Sequence, residues 1–307
     1  MKYQKTAVAA LMALGLFMTG CGGDSDSGGV AYMNHNDEDV FGQTIKSSFD
    51  QAAKSSGLKV TYYDAKGDGN FQADQFKEVV EGGAKEIVLL AVNGELMAPL
   101  VDDAIDKGVT IVAMNRDVAT DKAIAVRSNE IEAGIMQADY MVKNLPQGAK
   151  VAYLAGTMNQ MSSRARWEGF KTHCLDKRPD VELLSMQDGS YSRAEALKIT
   201  TMWLSLFPKI DAIVCGNDEM ALGAIAALKA ANRLEGCMVS GVDATDAALK
   251  AIAVGEMVQT VKQDAVGQAK GAITVIEEIG KGNPPPKDII IPFASITKDN
   301  LNEFVGK

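Results

Sequence analysis

This sequence predicts an α/β fold of two similar doubly wound parallel-sheet domains, and three observations predict it. Short apolar runs rich in Val and Ile recur along the chain. Amphipathic segments of helical length separate most of them, the alternation that builds parallel sheets covered on both faces. About ten runs occur, too many for one small doubly wound sheet and the right number for two sheets of five or six.

The elements follow in order. VAYM (30–33) leads into a helical stretch at 40–56, and KVTYYD (59–64) into one at 70–82. EIVLLA (86–91), TIVAM (110–114) and AIAV (123–126) complete a first set. The polar RSNE (127–130) is the best crossing point between the halves, and a helical pattern at 130–145 opens the second set. KVAYLAG (150–156) and VELLSMQ (181–187) precede a helix at 191–206; DAIVCG (211–216) precedes one at 218–231. MVSGVD (238–243) and MVQTVKQ (257–263) come last, followed by a helix at 264–280. The tail KGNPPPKDIIIPFASITKDN reads as one extended run interrupted by Pro292, able to return to an earlier domain.

Composition narrows the function. The chain has 307 residues, 47% hydrophobic and 23% charged, with a net charge of −9. An acidic chain without basic blocks is unsuited to nucleic acid, whose binding rests on phosphate neutralisation. Lys2 and Lys5 precede the apolar AVAALMALGLFMTG and then Cys21. This is the charge, apolar core and cleavage order of an export signal, and the run is short for a membrane span. MTGC resembles the bacterial lipoprotein signal, with Met18 in place of the usual Leu, so 1–20 is read as a lipoprotein signal and Cys21 as the lipid-attachment residue. GGDSDSGG makes 21–29 a flexible tether. Cys174, Cys215 and Cys237 have no CxxC spacing and predict neither a disulfide framework nor a zinc site, although one disulfide remains open. DAKGDGN (64–70) puts Lys66 and Gln75 where a calcium loop needs oxygen donors, and reads as a turn. No metal and no cofactor is expected.

Ligands of open parallel sheets bind beyond the carboxyl ends of the strands. Seven strand ends here carry polar or aromatic groups: Asp39 and Phe41; Asn115 and Arg116; Arg166, near the head of a helix; Tyr191; Asn217; Asp243; and Gln263. Each has a plain structural alternative. Asp39 could cap a helix, Arg166 could make a surface ion pair, and Tyr191 could cover a helix. The recurrence of the set at one topological location favours a common cleft. Within it, Asn217 is placed to meet a ligand, while Asp218 and Glu219 start and cap the following helix.

MNRD, RWEGF, NDEMALGAIAAL, GVDAT, TVKQDAVGQAKGA and ITKDN, in that order along the chain, resemble the bacterial periplasmic sugar-binding proteins of the ribose/galactose type, the substrate-binding components of ABC importers. The resemblance implies two lobes of the type I periplasmic-binding fold joined by a three-crossing hinge: 28–128 plus 264–291, and 129–263 plus 292–307. It implies that Asp39, Phe41, Asn115, Arg116, Arg166, Asn217, Asp243 and Gln263 bind the ligand, with Tyr191 as a stacking aromatic. Gly42 stands where the ribose-binding form has a second aromatic, which leans toward pyranoses or cyclic polyols.

The residue types suit such a ligand. Asp39 and Asp243 only accept hydrogen bonds, Arg116 and Arg166 only donate, and Asn115, Asn217 and Gln263 do both. Two Asp against two Arg leave no surplus charge, which fits a neutral sugar or polyol: a hexose, a pentose or an inositol-like ring. Phe41 and Tyr191 offer plates for C–H faces. Closure around the ligand would let an ABC permease read shape, and the output could instead be a chemoreceptor or sensor kinase. A monomer, exported and tied to a membrane only through its lipid, is the expectation. Arg166→Ala is expected to abolish ligand stabilisation and leave the unliganded melt nearly unchanged. An enzyme is the rival of another class, but only His35 and His173 occur, with no GxSxG and no Walker loop. A repressor would need a basic DNA-binding head where this chain has an export signal.

Overall fold

The computed structural model describes residues 29–305. The predicted signal, Cys21 and all of the tether before Gly29 lie outside them. Elements are numbered in chain order. The first sheet's unit begins β1 (Val30–Asn34), α1 (Val40–Ser55), β2 (Val60–Asp64), α2 (Gly69–Glu81), β3 (Glu86–Leu89), α3 (Gly94–Asp106), β4 (Thr110–Met114) and β5 (Ile124–Arg127). The second holds α4 (Glu130–Asn144), β6 (Lys150–Ala155), α5 (Met161–Phe170), β7 (Glu182–Asp188), α6 (Arg193–Leu206), β8 (Ala212–Cys215), α7 (Asp218–Ala230), β9 (Met238–Asp243), α8 (Asp246–Ala253) and β10 (Gln259–Lys262). Then come α9 (Ala265–Gly280), β11 (Asp288–Ile290) and β12 (Ala294–Thr297).

Two six-stranded sheets form, in the orders β11-β5-β4-β3-β1-β2 and β12-β10-β9-β8-β6-β7. Every pairing is parallel except β12 with β10. The doubly wound prediction holds because the inner strands feed both faces. Val30 and Tyr32 of β1 pack with Ile45 and Phe49 of α1 and Ala269 and Ile273 of α9. Ala31 and Met33 face the other way, toward Phe76 of α2 and Met97 and Val101 of α3. β6 repeats the pattern, with Leu154 toward Met220 of α7 and Tyr153 toward Met141 of α4 and Phe170 of α5. Successive side chains of a strand point to opposite faces, so two buried faces make every position apolar.

The chain passes between the sheets three times: between β5 and α4, between β10 and α9, and between β11 and β12. The tail is therefore two short strands, one on the outer edge of each sheet, split around Pro292. Proline has no N–H to give a ladder, and the chain changes sheet there. Cys174, Cys215 and Cys237 are free and buried, so no disulfide joins them. DAKGDGN is a turn, with Asp68 capping α2 by accepting from the Asn70 and Phe71 amides.

Candidate ligand-binding site

The carboxyl ends of both sheets face one cavity, whose space, counted together with the solvent open to it, is about 410 Å³. All nine candidate residues line it. Asp39 and Phe41 stand at the head of α1, and Asn115 and Arg116 follow β4. The second sheet's unit supplies Arg166 from α5, Tyr191 between β7 and α6, Asn217 ahead of α7, Asp243 at the end of β9 and Gln263 just past β10.

Arg166 lies in the middle of α5 rather than near its head, and it is not a surface ion pair. It is 4% exposed. Its Nε donates to Glu130 Oε2 at 2.6 Å, its Nη1 to the Gly216 carbonyl at 2.6 Å, and its Nη2 to Gln263 Oε1 at 3.5 Å. Gln263 Nε2 closes the ring by donating to Glu130 Oε1 at 3.0 Å. Burial is the largest influence and opposes the guanidinium's charge, but the Glu130 carboxylate, Tyr191 and Asp243 together outweigh it and hold the Arg166 pKa above its ordinary value. Removing Arg166 would strand a buried carboxylate, so the expectation of an unchanged unliganded melt is corrected: the arginine is also structural.

The RWEGF stretch has a packing reason. A Cβ on Gly169 would lie 2.3 Å from the Ile131 carbonyl, and one on Gly134 would lie 2.0 Å from the Arg166 carbonyl. Helices α4 and α5 thus touch backbone to backbone, which brings Glu130 and Arg166 together. Phe170 anchors the contact, its ring centroid 5.3 Å from that of Tyr153.

The roles around Asn217 are also corrected. Asn217, not Asp218 or Glu219, caps α7: its Oδ1 accepts from the Met220 amide at 3.0 Å. Its Nδ2 has only a 3.4 Å contact with the Tyr191 carbonyl and remains turned to the cavity wall. Asp218 is fully buried and joins strand to loop, accepting from Thr260 Oγ1 at 2.7 Å and the Thr245 amide at 2.8 Å. Burial still dominates those bonds and pushes its pKa up to about 7. Glu219 turns outward and pairs with Arg193 at 2.7 Å.

Two charged groups in the cavity wall have no protein partner. Neither the Arg116 guanidinium nor the Asp243 carboxylate makes a side-chain hydrogen bond or ion pair among the described residues. Burial, then the Asp218 carboxylate, raises the Asp243 pKa well above the usual range, and burial lowers that of Arg116. Asp39 caps α1, accepting from the Gly42 amide at 2.6 Å. Burial alone would raise the Asp39 pKa; His35, that amide and Arg116 together hold it below its ordinary value. Asn115, Tyr191 and Asp243 have φ of 67°, 55° and 120°. Non-glycine residues held there cost on the order of 1–3 kcal/mol each, a cost that clusters at functional sites. The Tyr191 ring lies against Gly156, where a Cβ would fall 2.0 Å from its Cζ.

Sequence reasoning missed His35, Glu130, Gln160 and Ser162, which also line the cavity. His35 could have been found, since it directly follows β1 at a strand end. Glu130 heads a helix after a crossing, and only the fold reveals its pairing with Arg166. It adds a third carboxylate to the two Asp and two Arg, and that carboxylate is already matched within the wall. At the rim, Arg164 of α5 reaches Glu95 of α3 at 3.4 Å, an ion pair between the two units.

Comparison with known proteins gives a consistent result. The family model described as a periplasmic binding protein domain matches residues 30–284. A protein of Rhizobium meliloti provisionally named for rhizopine binding is 34% identical over 278 residues, covering 88% of this chain and 90% of the relative. The xylitol-binding protein of Mycolicibacterium smegmatis is 29% identical over 96% of this chain and 86% of its own length. A solute-binding protein of an ABC transporter from Bacillus halodurans, solved with bound myo-inositol, superposes with a TM-score of 0.86 at 28% identity, covering 92% of this chain and 98% of that one.

Proposed function

The chain belongs to the periplasmic binding protein domain family, and from that premise we propose that it captures a sugar or cyclic polyol between its two sheets and delivers it to an ABC importer. It is a substrate-binding protein rather than an enzyme, and family membership implies export. The observation that carries the ligand assignment is a pair of half-buried ionisable side chains with no protein partner among the described residues. Arg116 comes from the first sheet's unit and Asp243 from the second, one only donating and the other accepting. A half-buried polar group without a partner has hydrogen-bonding capacity that a ligand can fill. A hydroxylated ring offers donors and acceptors to both at once, and Phe41 and Tyr191 supply apolar faces.

The nine residues identified from sequence form this reading's contact set. The lobes are 28–128 plus 264–291 and 129–263 plus 292–307, a division supported by which sheet each strand joins. Ligand contact with both lobes stabilises the closed arrangement over an open one, with the three crossings as the hinge. The protein acts as a monomer, and Cys21 carries the lipid that holds it at the membrane; Cys21→Ser should release it into the soluble fraction. Thermal melts against sugars and polyols test the main assignment. A ligand at 100 times its dissociation constant should add about 2.7 kcal/mol of stability. No shift with any polyol, alongside a shift with an ionic metabolite, would sink it.

A further inference from the structure

Asp218 is fully buried at the head of α7 and does not line the cavity. A carboxyl group is a costly way to fill a core position, so its contacts call for a reason. Its two oxygens serve one short segment. Oδ2 accepts from the Thr245 amide at 2.8 Å, and Oδ1 accepts from Thr260 Oγ1 at 2.7 Å. With its own proton given to Asp218, the Thr260 hydroxyl accepts from the Ala244 amide at 3.2 Å. One carboxyl and one hydroxyl, both fully buried, thus hold the two successive amides that follow Asp243. Gly241, the register partner of Thr260 across β9 and β10, makes the room. A Cβ there would lie 2.5 Å from Asp218 Oδ1. The held segment is strained: φ is 120° at Asp243 and 60° at Ala244. Such backbone persists only where its surroundings over-determine it. Thr245 adds to the constraint by capping α8, its Oγ1 accepting from the Ala248 amide at 3.3 Å.

We infer that Asp218 and Thr260 are positioning residues for ligand binding: together they clamp the turn at 243–245 in the strained form that presents the Asp243 side chain to the cavity. This rests on the reading of Asp243 as a ligand contact. Neither Asp218 nor Thr260 lines the cavity, so both act through Asp243, which does. Relaxing φ at 243 would turn that side chain to a new direction. A role in the core alone does not account for Thr260. A valine of the same shape would pack as well on the sheet, yet leave Asp218 Oδ1 and the Ala244 amide without a partner. The two carboxyl groups are also close enough to feel one another, since Asp218 is the largest influence after burial that raises the Asp243 pKa.

The test is calorimetric titration with myo-inositol, D-galactose and D-ribose, carried on with whichever binds wild type most tightly. The variants are Thr260→Val, Thr260→Ser, Asp243→Ala and the double variant Thr260→Val/Asp243→Ala. Thr260→Val keeps the shape and deletes the hydroxyl, and should weaken binding by about tenfold. Thr260→Ser restores the hydroxyl and should bind within about threefold of wild type. Once Asp243→Ala has removed the side chain being positioned, adding Thr260→Val should change affinity by less than about twofold. A site merely loosened would lose affinity in both backgrounds. Wild-type affinity in Thr260→Val, no rescue by Thr260→Ser, or an undiminished loss in the Asp243→Ala background would each overturn the inference. Should Thr260→Val fail to fold, Asp218→Asn carries the test. Its amide oxygen still accepts from Thr245 and its Nδ2 donates to Thr260, so affinity must stay within about threefold of wild type, and a tenfold loss would overturn the clamp. Wild-type affinity in Asp243→Ala would instead overturn the ligand contact on which the inference rests. Binding of none of the three probes would overturn the polyol reading itself.

Discussion

Arg166→Ala should destabilise the unliganded protein strongly, and the structure sets the size. The Arg166–Glu130 pair is 2.6 Å long, and its side chains are 5% and 7% exposed. Breaking a buried pair from one side leaves the other charge unpaired and costs about 3–5 kcal/mol. The Gly216 carbonyl and Gln263 Oε1 also lose their donor, which adds to the loss. For a chain of this size, 1 kcal/mol is worth roughly 2–4 °C, so the melting temperature should fall by about 6–20 °C. Adding Glu130→Gln removes the stranded charge. The double variant Arg166→Ala/Glu130→Gln should recover a coupling of about 2–3 kcal/mol relative to the summed single variants Arg166→Ala and Glu130→Gln. Thermal melts of all forms without ligand read this directly. A single-variant loss below about 1 kcal/mol, or strictly additive losses, would refute the buried-pair reasoning.

Three further outcomes follow from the same geometry. Gly169→Ala forces a Cβ to 2.3 Å from a backbone carbonyl, so it should cost about 1–3 kcal/mol or more in the melt and weaken ligand binding by moving Arg166. Asn217→Ser keeps an α7 cap of similar strength, so the unliganded melt should change by under about 0.5 kcal/mol, while loss of the Nδ2 donor weakens polyol binding by about tenfold in calorimetry. Asp218 has a folded pKa raised to about 7, above an unfolded value of about 3.9. The folded chain therefore holds a proton that the unfolded chain has released between those values. The Asp218 contribution to stability should fall as pH rises from about 4 to about 7, and Asp218→Asn should make the slope shallower over that window in pH-dependent melts.

The sheets were legible because parallel strands buried on both faces read as unbroken apolar runs, as Ile213–Cys215 do. The site was legible because ligands of such sheets sit at strand ends, which makes Asn115, Asp243 and Gln263 visible by position alone. What stayed hidden depends on distances across the fold. Glu130 and Arg166 are 36 residues apart and meet only because Gly134 and Gly169 let two helices touch. Asn217 both caps a helix and faces the cavity, and a spacing argument assigns only one of these roles. His35 shows no motif, and its unpartnered ring appears only once burial is known. The tail looked continuous because local pattern does not reveal which sheet has a free edge.

The most direct measurement of the central claim is a crystal structure with the polyol that stabilises the protein most. The account predicts one ligand in the gap between the sheets, with its hydroxyls within about 3.2 Å of both the Arg116 guanidinium and the Asp243 carboxylate. A ligand held by the loops of one sheet alone, with either of those groups still unpaired, would contradict it.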